Sequence, residues 1–241
     1  MTALRSFFYY LVNIPYAAIC GCLGVILLVS PYRFRYWVVT SWNRVSVSWM
    51  RFICGVDYKI LGADNVPEGP YVVLAKHQSD WETLFLQYYF APLSTILKKE
   101  LLHIPFFGWG LACLKPIAID RSNPREAIKQ LKRLGLQRIQ EGNNVLVFPE
   151  GTRVAVGEAG NYARGGADIA VSAGVPIIPV AHNAGECCPR RSYMKHAGLI
   201  TVSIGKPIET EGKTSRELTQ EVKDWIENEI ANMPTARQET R

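Results

Sequence analysis

A histidine and two carboxylates fall close together in KHQSDWE (76–82), at the junction between two apolar runs, PYVVLA (70–75) and TLFLQYYF (83–90). A neutral imidazole takes a proton from a hydroxyl, and a carboxylate on its second nitrogen fixes the tautomer and stabilises the imidazolium that forms. Such a pair is a general base worth ~10² to 10⁴ in rate. On one regular helix His77 and Glu82 would lie about 140° apart and could not meet. They meet only if His77 occupies the turn before a helix, with Ser79 or Asp80 as N-cap and Glu82 in the first turn. The helix N-terminus then disfavours imidazolium at rest. Asp80 competes with Glu82 as partner of His77, and the spacing leaves both open. The nucleophile is expected on a substrate, because no GxSxG-type serine and no suitably placed cysteine is present. A histidine at such a corner serves equally well as a hydrogen-bonded structural residue, so other residues have to point the same way.

Three further stretches do. VFPEGTR (147–153) follows an apolar run and sets a glycine turn, the carboxylate of Glu150 and the guanidinium of Arg153 where a strand should end. Open α/β sheets bind ligands at the carboxyl ends of their strands. Arginine holds phosphate with a two-pronged fork, and glycine lets backbone come close. Lys98-Lys99-Glu100 and Ile119-Asp120-Arg121 also follow predicted strands. Each cation alone reads as surface charge, whereas three strand ends with cations describe one anion pocket.

The elements that would position these residues are an alternation of short apolar strands and amphipathic helices. Runs at 71–75, 95–97, 116–119, 145–148, 176–181 and 199–204 read as buried strands. Asn123-Pro124-Arg125-Glu126 opens a helix with an N-cap, a proline at the first position and an acid three residues after the cap. That helix ends near Gly142, and residues 214–233 form a last amphipathic helix. The fold class expected is α/β, a mixed, mainly parallel sheet covered by helices. The stretch at 61–69 is a turn-rich link, and the tail after Pro234 is polar.

Residues 1–55 differ in kind. Ser6 to Tyr32 carries no charge, long enough at ~1.5 Å per residue to cross or nearly cross a ~30 Å hydrocarbon core, with Asn13 and Pro15 interrupting it. A signal peptide is the rival, but no small-residue cleavage site follows before Pro31. Residues 37–53 place Val38, Trp42, Val45, Trp49 and Phe52 at helical spacing against a stripe of Ser41, Arg44, Ser48 and Arg51. The pattern predicts a two-helix hairpin (1–55) that docks an α/β domain (56–241) on a membrane. Arg33, Arg35, Arg44 and Arg51 set its polar side in the cytoplasm.

The totals agree. The chain has 241 residues, 48% of them hydrophobic, and a formal net charge of +6, which suits an anionic partner. Nucleic acid is disfavoured, since the lysines and arginines are spread along the chain and no nucleic-acid module is present. The six cysteines include no CxxC pair, so they read as reduced thiols and no metal site is expected.

HQSDWE, KKELLHIPFFGWGL, AIDR, FPEGTR and VPIIPVA, in this order and at these separations, resemble the bacterial 1-acylglycerol-3-phosphate (lysophosphatidate) acyltransferases of the glycerolipid acyltransferase family. The resemblance spans residues 71–185. The first block, a histidine followed by an acid, is weak alone and specific in the company of the others. That family usually carries aspartate where this chain has Glu82. The resemblance implies that His77 deprotonates the 2-hydroxyl of lysophosphatidate, that Glu82 orients His77, and that the freed oxygen attacks the thioester of acyl-CoA or acyl carrier protein. It implies that Lys98, Arg121 and Arg153 hold the acceptor's phosphate while Glu150, Gly151 and Thr152 shape the pocket. No cofactor is implied beyond the acyl-donor substrate. A place on the cytoplasmic face of a bacterial inner membrane is implied as well. Residues 104–110 and 175–181 are candidates for an acyl channel, with packing their commoner role. His103, His182 and His196 have no acid at useful spacing. Glycerol 3-phosphate, another lysophospholipid or a lyso-aminolipid is the alternative acceptor. A non-catalytic lipid-binding protein of the same fold is the alternative class, and a serine or cysteine hydrolase a disfavoured third.

Overall fold

The computed structural model describes residues 1–120 and 124–237. Among them, β1 (Val56–Leu61), β2 (Val72–Ala75), β3 (Leu93–Lys98), β4 (Ile117–Ile119), β5 (Asn144–Val147), β6 (Ile177–His182) and β7 (Gly198–Ile204) form one sheet. Its order is β1-β7-β6-β2-β5-β3-β4, and only the β6–β7 pairing is antiparallel. The mixed, mainly parallel sheet expected from the sequence is therefore present. β2 lies at its centre, buried on both faces, which explains its unbroken apolar run.

The pleat of β2 sends neighbouring residues into two cores. Val73 and Ala75 pack with Trp81, Phe85 and Leu86 of α4 (Trp81–Tyr89) and with Val47 and Met50. Val72 and Leu74 pack on the other face against α6 (Pro124–Gln140), α7 (Gly165–Ala173) and α9 (Ser215–Ala231). Thr214 caps α9 in a reciprocal capping box with Glu217. β1 was not expected: it lies at a sheet edge, with Asp57 and Tyr58 half-buried and Lys59 exposed, and lacks the apolar run of an interior strand. α7, rich in glycine and alanine, was not expected either.

The first helix, α1 (Thr2–Ile26), runs through Pro15 without a break. The stretch expected as one helix, 37–53, is divided. α2 (Tyr32–Val39) ends where the Thr40 hydroxyl bonds back to the Tyr36 carbonyl at 2.8 Å, and α3 (Ser41–Trp49) leads into a wide turn at Met50–Cys54. Asn13, which interrupts the apolar run, pins α1 to α3. Its amide donates to Ser46 Oγ at 2.6 Å and accepts from Trp42 Nε1 at 2.9 Å. Tyr36 fastens α2 to the sheet domain, donating to the Gln87 carbonyl at 2.6 Å and accepting from the Leu93 N–H at 3.0 Å.

α1 also crosses α5 (Phe107–Cys113) with almost no space between the backbones. A Cβ on Gly21 would stand 2.0 Å from the Phe106 carbonyl oxygen. The segment Thr2–Val29 is long and apolar enough to cross a membrane, and only 22% of its most apolar window is buried in the protein. A core helix would be mostly covered. Phe7, Phe8, Leu11, Ile14 and Ile26 are exposed here, as are Phe34, Trp37, Ile104, Phe106 and Trp109 from neighbouring segments.

Candidate active site

His77 follows β2 in the turn before α4, as its spacing to Glu82 requires. The Glu82 carboxylate is fully buried and saturated with donors. Its Oε1 accepts from His77 Nδ1 at 2.9 Å, from the Gln78 N–H at 2.9 Å and from the Ser79 N–H at 2.8 Å; its Oε2 accepts from the Ser79 hydroxyl. Burial alone would raise the Glu82 pKa, but the imidazoles of His182 and His77 and the Ser79 hydroxyl outweigh it and hold the pKa at about 2. An ionised carboxylate only accepts, so Nδ1 of His77 carries the proton and Nε2 is left as the base. Phe148 stacks on the ring at 4.0 Å between centroids, fixing its plane.

Asp80, the competing partner, faces elsewhere. Lys195 Nζ contacts its two oxygens at 2.6 and 2.7 Å, and the Lys195 N–H donates to Ser6 Oγ of α1 at 2.9 Å. Burial alone would lower the Lys195 pKa; the Asp80 carboxylate prevails and raises it. No side-chain cap from Asp80 closes α4; the Ser79 hydroxyl accepts the Trp81 N–H at 3.0 Å instead.

The PEGTR turn after β5 grips the peptide of His77 at both ends. The His77 N–H donates to Glu150 Oε2 at 3.0 Å, and the His77 carbonyl accepts from the Val154 N–H at 2.8 Å. Gly151 sits at φ 66°, in the left-handed region that favours glycine. The Glu150 side chain is fully buried. Its Oε1 bonds Lys76 Nζ at 2.8 Å and accepts the Gly160 N–H at 3.1 Å. Lys76 is itself fully buried and reaches Glu227 Oε1 at 2.8 Å and the Glu158 carbonyl at 2.9 Å. Glu150 thus shapes the site from behind, through the backbone of His77. His182, expected to be bland, donates from Nε2 to the Lys76 carbonyl at 2.8 Å while its Nδ1 accepts the Ala184 N–H at 3.2 Å. Burial keeps its pKa below the usual histidine value.

A cavity of about 630 Å³ opens at His77. Lys98, Gly151, Thr152 and Arg153 line it, and so do Arg190 and Arg191, which no sequence pattern singled out. Much of the remaining wall is apolar: Ala17, Cys20 and Gly21 of α1, Trp42 of α3, Ile96 and Leu97 of β3, Phe107 and Leu111 of α5. Of the two candidate channel segments, 104–110 contributes to this wall, whereas 175–181 lies in the buried sheet as β6. Arg121 and Asn123 lie outside the described residues. The structure therefore gathers His77, Lys98, Gly151, Thr152 and Arg153 on the wall of one cavity and sets Glu82 and Glu150 behind His77.

Residues 57–183 match the family described as Acyltransferase. The chain is 44% identical to a 1-acyl-sn-glycerol-3-phosphate acyltransferase of Pseudomonas aeruginosa, covering 98% of this chain and 94% of that one. It is 31% identical to the enzyme of that name from Saccharomyces cerevisiae, covering 94% of this chain and 78% of the other. The crystal structure of the 1-acyl-sn-glycerophosphate acyltransferase PlsC from Thermotoga maritima shares the fold, with a TM-score of 0.83 over 99% of this chain and 98% of that one at 21% identity.

Proposed function

The chain belongs to the acyltransferase family, among the 1-acyl-sn-glycerol-3-phosphate acyltransferases, and from that premise we propose that His77 is the general base of its reaction. The protein transfers an acyl group from a thioester to the 2-hydroxyl of lysophosphatidate, giving phosphatidate. His77 Nε2 takes the hydroxyl proton as the oxygen bonds to the thioester carbon. Glu82, still ionised, stabilises the imidazolium on Nδ1. The tetrahedral intermediate then collapses, the C–S bond breaks, and the imidazolium returns the proton to the leaving thiolate. No enzyme acyl intermediate is needed, so donor and acceptor occupy the cavity together.

Lys98 and Arg153 hold the acceptor's phosphate, with Gly151 and Thr152 at its lip and Arg121 as a third cation. The apolar arm between α1, α3 and α5 takes an acyl chain. The donor is acyl-CoA or acyl carrier protein. Residues 1–55 form a membrane-associating hairpin on an α/β acyltransferase domain (56–241), and the exposed apolar residues of α1, α2 and 104–109 enter the cytoplasmic leaflet of a bacterial inner membrane. Anionic lipid would add ~1 kcal/mol for each basic residue held near that surface.

The observation that carries this reading is the buried Glu82 carboxylate on His77 Nδ1 at 2.9 Å, with the ring on the wall of a cationic cavity. The test is an assay of the purified protein in vesicles with acyl-CoA and a panel of acceptors: lysophosphatidate, glycerol 3-phosphate, another lysophospholipid and a lyso-aminolipid. Lysophosphatidate is the acceptor expected to be acylated, and Arg153→Ala should raise its KM about tenfold or more. Acylation of a different lysolipid in its place would refute the assignment.

A further inference from the structure

The cavity carries more positive charge than one phosphate needs. On the reading above Lys98 and Arg153, with Arg121 as a third cation, already answer the acceptor's phosphate. Arg190 and Arg191 line the same cavity, and none of the four has a carboxylate partner among the described residues.

The two extra arginines are the central residues of a tight turn, closed by the Ser192 N–H on the Pro189 carbonyl at 3.2 Å. Arg191 stands at φ 63°, a conformation that L side chains rarely adopt. The turn is fixed on both sides. Before it, Cys187 and Cys188 are fully buried at the end of α8 (Ala184–Cys187), with the Cys188 N–H on the Ala184 carbonyl at 2.9 Å. After it, Lys195 is clamped to Asp80, the residue that opens α4. The turn thus stands on a fixed base and sets both arginines, Arg190 half-buried and Arg191 exposed, on the wall of the cavity that His77 also lines.

Sheet order separates the cations into two groups. β6, which leads through α8 to the arginine turn, neighbours β2 on one side, while β5, which leads to Arg153, and β3, which ends at Lys98, lie on the other. His77, at the end of β2, stands between them. Direct transfer needs two anionic substrates on opposite sides of the base. Both candidate donors present their thioester at the end of a phosphopantetheine arm, whose phosphate must rest near the cavity mouth while the thioester reaches His77.

We propose that Arg190 and Arg191 form a donor-side anion site that binds the phosphate of the phosphopantetheine arm. The proposal rests on the acyl-transfer reading above. Its test compares acyl-4′-phosphopantetheine with the corresponding acyl-pantetheine, which keeps the thioester and lacks the phosphate. Wild-type protein should prefer the phosphorylated donor, and Arg190→Gln/Arg191→Gln should cut that kcat/KM ratio at least about tenfold. The KM for lysophosphatidate should stay within about twofold. Arg191→Gly, which suits the backbone at φ 63°, should carry part of the loss in a protein that folds normally. A parallel series with acyl carrier protein shows which donor supplies the phosphate.

An unchanged ratio overturns the proposal. So does a rise confined to the lysophosphatidate KM, which would give the arginines to the acceptor. Weaker binding to phosphatidylcholine–phosphatidylglycerol vesicles with both KM values intact would make them a headgroup contact and also overturn it. Calorimetry with coenzyme A alone separates this site from the acyl-transfer reading: binding lost in the double variant supports the site even if the acceptor assignment fails, and equal binding by both proteins refutes it.

Discussion

The two ends of the cavity are built by opposite means. At the His77 end nearly every polar atom is held: ring nitrogen, backbone N–H and carbonyl each have a named partner, and two fully buried carboxylates, Glu82 and Glu150, grip the residue by side chain and by peptide. At the far end, where α1, α3 and α5 meet, the wall is apolar and its closeness comes from small residues such as Gly21 and Gly110. On the proposed reading the difference follows from what each end handles. Proton transfer fails if a base is misplaced by an ångström, so its position is over-determined. A hydrocarbon chain asks only for dry space of suitable volume.

Removing the base should break the polar end most completely. His77→Ala is expected to lose ~10² to 10⁴ in kcat with the fold intact; a variant that keeps full turnover would take His77 out of the mechanism. Lys76→Met should come next, in stability. It leaves Glu150 as a buried charge without its cation, at a cost of ~3–5 kcal/mol, read from a denaturant melt.

The Glu82 carboxylate makes a pH prediction. Its folded pKa lies at about 2, below the ordinary 4.5, so the stabilisation is complete above the ordinary value and is lost as pH falls towards the folded one. The amount is ~3 kcal/mol. Glu82→Gln should remove this acid dependence between pH 4.5 and 2 and lower activity at neutral pH. A melt with the same acid slope in both proteins would deny Glu82 that role.

The smallest effect belongs to the apolar end. Gly21→Ala pushes a methyl against the Phe106 carbonyl, costing ~1–3 kcal/mol and shifting the preferred acyl-chain length, while the Glu82-dependent acid slope stays as it is. If chain preference does not move, α1 does not shape the apolar arm.

Much of the polar end was legible in the sequence because its signals are local. A spacing of five positions from histidine to acid demands a turn before a helix, and apolar runs ending in Lys98 and in Pro-Glu-Gly-Thr-Arg mark strand ends. What stayed hidden depends on partners far along the chain. Nothing near Lys76 says that it is buried, because Glu227 arrives from the last helix. Asp80 and Glu82 look alike until Lys195 takes one of them. Arg190 and Arg191 lie in no periodic pattern, and β1 is an edge strand whose charges mask its alternation.

The crossing of Gly21 beneath the Phe106 carbonyl has a consequence for ancestry and for engineering. The amino-terminal helix and the 104–113 segment are complementary halves of a single mould, one supplying the groove and the other the ridge. Chimeras that graft the leading helices of one homologue onto the body of another should inherit a mismatched seam unless both segments travel together. Substitutions along that seam are expected to arise in compensating pairs.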